Sequence, residues 1–138
     1  MSPGRVEIIR AVYERFSKGD FRASAELLDP HVVMVVGTQF APSLFASPVG
    51  GALYGIDRVA AYTRSLLEDQ TVTMEAGEVD AVGDSVVVAV RQHAVGRASG
   101  VPTEIRYFTV WSFRWRKVIR IESFTERADA LKAAGLGE

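Results

Sequence analysis

Residues 85–125, with the sequence SVVVAVRQHAVGRASGVPTEIRYFTVWSFRWRKVIRIESFT, decide the fold. They contain three runs rich in β-branched and aromatic residues: Ser85–Arg97, Pro102–Trp115 and Lys117–Thr125. Runs of this composition that are separated by turn residues predict strands. Ser99-Gly100 provides turn residues at the first joint, whereas the joint near Arg116 contains no glycine. The stretch therefore predicts a meander of long antiparallel strands.

One more long strand and three helices are predicted upstream of this stretch. Thr71–Val82 forms the strand and is followed by a turn at Gly83-Asp84. Apolar residues at helical spacing predict a helix from Val6 to Phe16, a second short helix after Asp20 and a third after Gly55. Helices followed by strands predict an α+β fold, in which the helices pack on one face of a curved antiparallel sheet.

Two further segments lie between the second and third helices. His31–Val36 is short and β-branched, which predicts a strand buried on both faces. Gly37–Gly55 contains several prolines and glycines but also apolar residues that favour burial. It is long for a connection without secondary structure, so we interpret it as a candidate lid or pocket rim.

Composition limits the class of protein. The 138 residues are 48% hydrophobic and predict a single domain over 1–138. A net charge of −1 provides no overall attraction to nucleic acid or to an anionic membrane. The chain has no cysteine, and its apolar runs are too short to span a bilayer. We expect a cytoplasmic protein with no membrane partner.

The order of several short phrases resembles the SnoaL-like family of the nuclear-transport-factor-2-like (NTF2-like) superfamily. The phrases are Gly19-Asp20-Phe21, Leu27-Leu28-Asp29-Pro30, Tyr54-Gly55-Ile56, Ser99-Gly100-Val101-Pro102, Val110-Trp111-Ser112-Phe113 and the tail 130–136. One departure is Arg114–Lys117, where relatives often have Asp-Gly before the lysine. The resemblance implies an NTF2-like cone, in which three helices close over the curved sheet, and often a homodimer formed through the sheet face. It does not imply one reaction, because this fold hosts many activities.

Strand alternation predicts which side chains face the interior of the cone. In Pro102–Trp115 the odd positions are apolar or aromatic and the even positions include charges, so Tyr107, Thr109 and Trp111 should face inward. The same criterion places Ser123 inside. The remaining candidates for ligand contact are Tyr13 and Tyr54, with Val36 implied by the resemblance. Each tyrosine could equally belong to the core.

Alternation does not choose a face for the strand Ser85–Arg97, because both sets of positions begin apolar. Similarity to limonene-epoxide-hydrolase-like relatives places Arg91 and His93 toward the pocket. His93 could then act as acid or base, and Arg91 could stabilise an oxygen anion. The alternative is that both residues have a structural role, as a hydrogen-bonded histidine and an ion-paired arginine.

The carboxylates that better-known relatives use are replaced in this chain. The positions that correspond to the ketosteroid-isomerase-like base and oxyanion-hole acid are Val36 and Thr109, and the epoxide-hydrolase-like aspartates fall at His93 and Ser123. Two histidines without cysteines or a matching acidic cluster do not form a metal-ligand set, so we predict no metal and no cofactor.

Basic residues on the last two strands could suggest nucleic-acid binding, but Glu104 and Glu122 share their face, and we predict no nucleic acid. The leading hypothesis is a homodimer that binds a small apolar, ring-bearing molecule in the cone. It could be an enzyme that isomerises, dehydrates or cyclises its substrate by proton transfer. The alternative hypothesis is a non-catalytic ligand carrier or a protein-interaction module.

Overall fold

The structure, a computed structural model, describes residues 4–35 and 52–135. Its helices are α1 (Arg5–Phe16), a 3₁₀ helix (Phe21–Leu27), α2 (Ile56–Asp69) and α3 (Arg127–Ala133). Its strands are β1 (Leu28–Val35), β2 (Ala52–Tyr54), β3 (Gln70–Val82), β4 (Ser85–Gly96), β5 (Pro102–Arg114) and β6 (Lys117–Phe124). The predicted α+β class is confirmed, and the four long strands match their predicted positions closely.

The six strands form one sheet in the order β2-β1-β6-β5-β4-β3. All neighbours are antiparallel except β1 and β6, which run parallel. The predicted antiparallel sheet is therefore mixed at this pair. Hairpins can join only antiparallel strands, whereas β1 reaches β6 from a distant part of the chain, so its direction is free of that constraint.

The first three helices pack on one face of the sheet, which we call the inner face. Helix α1 buries Ile9, Val12, Tyr13 and Phe16 in the main core. The Asp20 carboxylate caps the 3₁₀ helix by accepting a hydrogen bond from the backbone N–H of Arg22 at 3.2 Å. This cap satisfies an amide that the start of a helix would otherwise leave unpaired.

Helix α3, which the sequence analysis did not predict, packs on the opposite or outer face. Ala130 is fully buried there, in a small cluster with Val87 and Val110. The helix is further held by ion pairs from Arg127 to Asp80 at 3.1 Å and to Glu78 at 3.7 Å. The outer face is the one expected to form a homodimer, and that dimer stays a prediction.

Strand β2 was also not predicted, because three residues are too few to show an alternation of apolar and polar side chains. The rest of the candidate lid, residues 37–51, lies outside the described residues, and so does Val36. Among the residues that the structure describes, no helix has the length and apolar character required to cross a membrane.

Candidate functional site

A cavity of about 490 Å³ lies between the helices and the inner face of the sheet. Its wall is formed by α1, the 3₁₀ helix and α2, and its floor by strands of the sheet. Most of the lining is apolar: Phe16, Phe21, Leu28, Met34, Val59, Leu66, Met74 and Ile121. Strand alternation directs Leu28, Met34, Met74 and Ile121 inward, and the other four residues project from the helices above them, so the cavity is an unfilled part of the core.

A connected set of polar groups lies on the cavity floor. The indole Nε1–H of Trp111 donates a hydrogen bond to the hydroxyl of Tyr13 at 3.1 Å. The Tyr13 hydroxyl is also hydrogen-bonded to Thr109, whose Oγ1 lies 3.1 Å from the Oγ of Ser123. Each of these groups is neutral, so the network can be buried without the cost of an isolated charge. We call these four residues the floor network.

Tyr107 makes a second polar contact beside this network. Its hydroxyl donates a hydrogen bond to the Oε1 of Gln92 at 2.6 Å and lies 3.8 Å from the sulfur of Met74. Gln92 is on β4, opposite Ile105 of the neighbouring strand. The amide therefore fixes the direction of the Tyr107 hydroxyl on the inner face.

Burial changes the acidity of three tyrosines in the cavity. Loss of hydration raises the pKa of Tyr13, Tyr62 and Tyr107, because a buried phenolate is poorly solvated. The hydrogen bonds from Trp111 and Thr109 offset part of this rise for the Tyr13 pKa. Proximity to the other two tyrosines raises the pKa of Tyr107 further. At neutral pH these hydroxyls are therefore protonated and act as hydrogen-bond donors, not as bases.

The geometry of a cone with an internal cavity agrees with the match between residues 9–121 and the SnoaL-like domain model. The chain belongs to the SnoaL-like family. No protein among those with curated descriptions matches the chain.

Solved structures share the fold of this SnoaL-like protein. An NTF2-like protein from Burkholderia thailandensis E264 is 21% identical, with a TM-score of 0.72 over 94% of this chain and 98% of that one. TerC, co-crystallised with polyporic acid, is 18% identical, with a TM-score of 0.70 over 94% and 96% of the two chains. A protein with a ketosteroid isomerase-like fold from Catenulispora acidiphila DSM 44928, in complex with trimethylamine, is 14% identical, with a TM-score of 0.68 over 94% and 93%. At these identities the likeness is one of fold.

Five of the residues singled out from sequence meet in the cavity. They are Tyr13, Tyr107, Thr109, Trp111 and Ser123. Tyr54 is not among the lining residues: it lies on the edge strand β2 with 60% of its surface exposed. The edge position explains this exposure, because a side chain on the last strand has a neighbouring strand on one side only.

The expectation that Arg91 and His93 face the pocket is wrong. Arg91 lies 3.2 Å from a carboxylate oxygen of Glu75, on the outer face. The His93 ring lies between two carboxylates, with Nε2 at 3.3 Å from Glu75 and Nδ1 at 3.4 Å from Glu104. Both side chains are 40% or more exposed. They match the alternative interpretation, in which the two residues make structural contacts away from the cavity.

The pairing of β4 with β5 gives the reason for this correction. Val88 lies opposite Thr109, and Val90 lies opposite Tyr107. Residues directly opposite in an antiparallel pair share a face, so the even positions of β4 point inward with the odd positions of β5. Arg91 and His93 are at odd positions of β4 and therefore point outward.

Sequence reasoning missed the cavity residues Tyr62 and Met74, and it missed Gln92, which accepts the hydrogen bond of Tyr107. Tyr62 lies beside the apolar stripe of α2, one position before Thr63, and the stripe alone did not select it. Gln92 and Met74 would have followed from the correct face of β4, because Met74 pairs with Gln92 across the sheet.

Two basic side chains, Arg22 and Arg64, also contribute to the cavity lining. Within residues 4–35 and 52–135, no cluster of three or more histidine, aspartate or glutamate side chains could hold a metal ion. The chemistry available in the described cavity is therefore hydrogen bonding by neutral hydroxyl groups, together with the charge of these two arginines.

Proposed function

We propose that this SnoaL-like protein binds a small, largely apolar, ring-bearing molecule in the cavity and holds one of its oxygen atoms at the floor network. The proposal rests on one observation: an apolar cavity of about 490 Å³ converges on a cluster of neutral hydroxyl groups. Small-molecule sites have this form, with volumes of roughly 300–1,000 Å³ and a few directed polar groups.

The floor network favours a ligand with a carbonyl or hydroxyl group. Tyr13, Thr109 and Ser123 have three hydroxyl protons and form two hydrogen bonds among themselves, so one proton remains available to a ligand. Each hydroxyl oxygen can accept two hydrogen bonds, so acceptor capacity also remains. A ligand oxygen that reached this floor would replace the water that these groups would otherwise bind.

A catalytic role is the second candidate, and the raised tyrosine pKa values favour it. Protonated hydroxyls in a site of low dielectric can stabilise an oxygen anion that develops during isomerisation, dehydration or cyclisation. Such a reaction also requires a proton acceptor, and the described lining contains no carboxylate or histidine. Residues 36–51 have no ionisable side chain in their sequence either. Ligand binding is therefore the function that the described cavity supports best.

The relatives support binding in a more general way. TerC was co-crystallised with polyporic acid, and the C. acidiphila protein was solved with trimethylamine. Both have the fold of this chain. We extend to this protein only the use of the fold to hold an organic molecule.

The test uses 2-naphthol, a fluorescent phenol with two fused rings, and two matched variants of α2. Ala60 lines the cavity, whereas its neighbour Ala61 does not, and both are exposed alanines. We expect saturable binding of 2-naphthol to the wild type and to Ala61→Trp. Ala60→Trp should weaken it about tenfold or more, because the indole occupies the cavity wall. Failure of the wild type to bind, or equal loss in both variants, would overturn the proposal.

A second comparison tests the floor network. Thr109→Val removes one hydroxyl while it keeps the shape of the side chain. We expect this variant to bind 2-naphthol about three- to tenfold more weakly than the wild type does. Its affinity for naphthalene, which has no hydroxyl, should be nearly unchanged. If both probes weakened equally, the ligand oxygen would not be held by Thr109.

A further inference from the structure

The two side chains of the cavity lining that are charged at neutral pH are both arginines. Arg22 lies on the 3₁₀ helix and Arg64 lies on α2, so both belong to the helical wall and not to the sheet floor. Both residues are exposed, so we call the side of the cavity on which they lie its mouth; long basic side chains at such positions keep the charged end in water and lay their stems along apolar surface. The described cavity therefore has a cationic mouth and a neutral floor.

Neither guanidinium has a carboxylate partner in the described part of the chain. Asp20, the acid nearest to Arg22 in sequence, is held by Arg15 at 2.7 and 2.9 Å. Its other oxygen accepts from the backbone amide of Arg22, not from the guanidinium. Glu68 is one helical turn from Arg64, but the two side chains form no ion pair.

Some other arginines of the described chain do have a carboxylate partner, whereas Arg58 and Arg97, like the two cavity arginines, form no ion pair. Six arginines form ion pairs: Arg5, Arg15, Arg91, Arg106, Arg120 and Arg127. The segment 36–51 contains no aspartate or glutamate in its sequence, so none of its side chains can form an ion pair with Arg22 or Arg64. Within residues 4–35 and 52–135, the two positive charges beside the cavity thus form no ion pair, although the charge of Arg22 contributes, after Arg15, to the lowered pKa of Asp20.

We propose that the ligand is a ring-bearing carboxylic acid, whose carboxylate is bound at the mouth by Arg22 and Arg64 while its ring system fills the cavity. This inference rests on the proposed function and specifies the ligand's class. A guanidinium presents a planar fork of donors that fits a carboxylate, and the pair raises the local concentration of anions at the entrance.

The experiment compares 2-naphthoate with its neutral methyl ester, which has the same ring system. Three single variants are measured: Arg22→Gln, Arg64→Gln and the control Arg58→Gln. Arg58 lies on α2, is exposed and does not line the cavity, so this control removes the same charge from the same helix. Binding is followed by ligand fluorescence at low and moderate salt.

We expect the wild type to bind 2-naphthoate about tenfold more tightly than the ester. Arg22→Gln and Arg64→Gln should each lower the affinity for 2-naphthoate roughly two- to fivefold and leave the affinity for the ester unchanged. Arg58→Gln should change neither affinity. Added salt should lower the affinity for 2-naphthoate only, because it screens the charged contact.

The outcomes separate the two proposals. Equal affinity for acid and ester, or a loss in Arg58→Gln as large as in the mouth variants, overturns the carboxylate inference and leaves the proposed cavity intact. If neither probe binds the wild type, both proposals are wrong.

Discussion

The two faces of β4 and β5 contrast sharply in the kind of polar group that they present. On the inner face, the floor network consists of neutral hydroxyl and indole groups that are buried or half-buried. On the outer face, Arg91 and His93 meet Glu75 and Glu104 in contacts that are largely exposed. The same strands thus separate charged groups from neutral ones by the alternation of their side chains.

This contrast shows that reactive residue types are a poor guide to the site in this chain. An arginine and a histidine attract attention in a sequence, because arginine can bind anions and histidine can transfer protons. Solvation determines where such residues lie, because charged groups lose a large hydration free energy in an apolar cavity and lose little of it at the surface. The cavity instead concentrates hydroxyl groups, which remain useful as donors when they are buried.

The largest difference between inner and outer positions is expected for the two tryptophans. Trp111 is 4% exposed and packs edge-to-face on Tyr13, whereas Trp115 is 86% exposed at the tip of the β5–β6 hairpin. Trp111→Ala should lower the free energy of unfolding by about 3–5 kcal/mol, because it leaves a cavity in the core. Trp115→Ala should change it by less than about 0.5 kcal/mol. Urea unfolding measures both, and similar losses would contradict the assigned faces.

Alkaline pH should destabilise the inner face selectively. Burial raises the folded-state pKa of Tyr13, Tyr62 and Tyr107 above the unfolded value near 10. Their contribution to stability is complete below about pH 10 and is lost as the pH rises further, because the unfolded chain then releases protons that the folded chain retains. The slope approaches roughly 1.4 kcal/mol per pH unit for each such tyrosine. Urea unfolding at a series of alkaline pH values measures it, and a flat profile would refute the buried state of these hydroxyls.

Loss of one hydroxyl from the floor network should have a smaller effect. Tyr13→Phe removes the acceptor of the Trp111 indole N–H, so we expect a loss of about 1–2 kcal/mol in the free energy of unfolding. Tyr54→Phe is the matched control on an exposed position and should change stability by less than about 0.5 kcal/mol. Equal stability of the two variants would show that the network is not formed.

The smallest effect is expected on the outer face. His93→Gln should change the free energy of unfolding by less than about 0.5 kcal/mol, because its contacts with Glu75 and Glu104 are about 40% exposed. It should also leave 2-naphthol affinity within about twofold of the wild type. A large loss of binding in this variant would restore His93 to the functional site.

The inner face of β5 could be predicted from sequence, because its charges and its aromatic residues occupy alternate positions. The face of β4 could not be chosen from its own residues, since Val86, Val87 and Val88 are all apolar. The register of the β4–β5 hairpin determines which face each position of β4 occupies. An even number of residues between the paired ends Val95 and Pro102 sets even positions of β4 against odd positions of β5.

Other features of the fold could not be predicted because no short-range sequence pattern indicates them. Helix α3 buries Ala130 as its one fully buried residue, so its sequence shows no wide apolar stripe. The parallel pairing of β1 with β6 depends on contacts between distant parts of the chain, which no local pattern reports. The turn at Arg114–Lys117 had a signal only in its lack of glycine, and the structure gives Trp115 the positive φ of 60° that glycine usually provides in such a turn.

The most direct test of the account is a crystal structure of the protein soaked with 6-bromo-2-naphthol, in which the bromine can be located by its anomalous scattering. The account predicts a bromine peak inside the cone, with the phenol oxygen within hydrogen-bond distance of Tyr13, Thr109 or Ser123. A peak on the outer face beside Arg91 and His93, or an empty cavity at a saturating concentration, would contradict it.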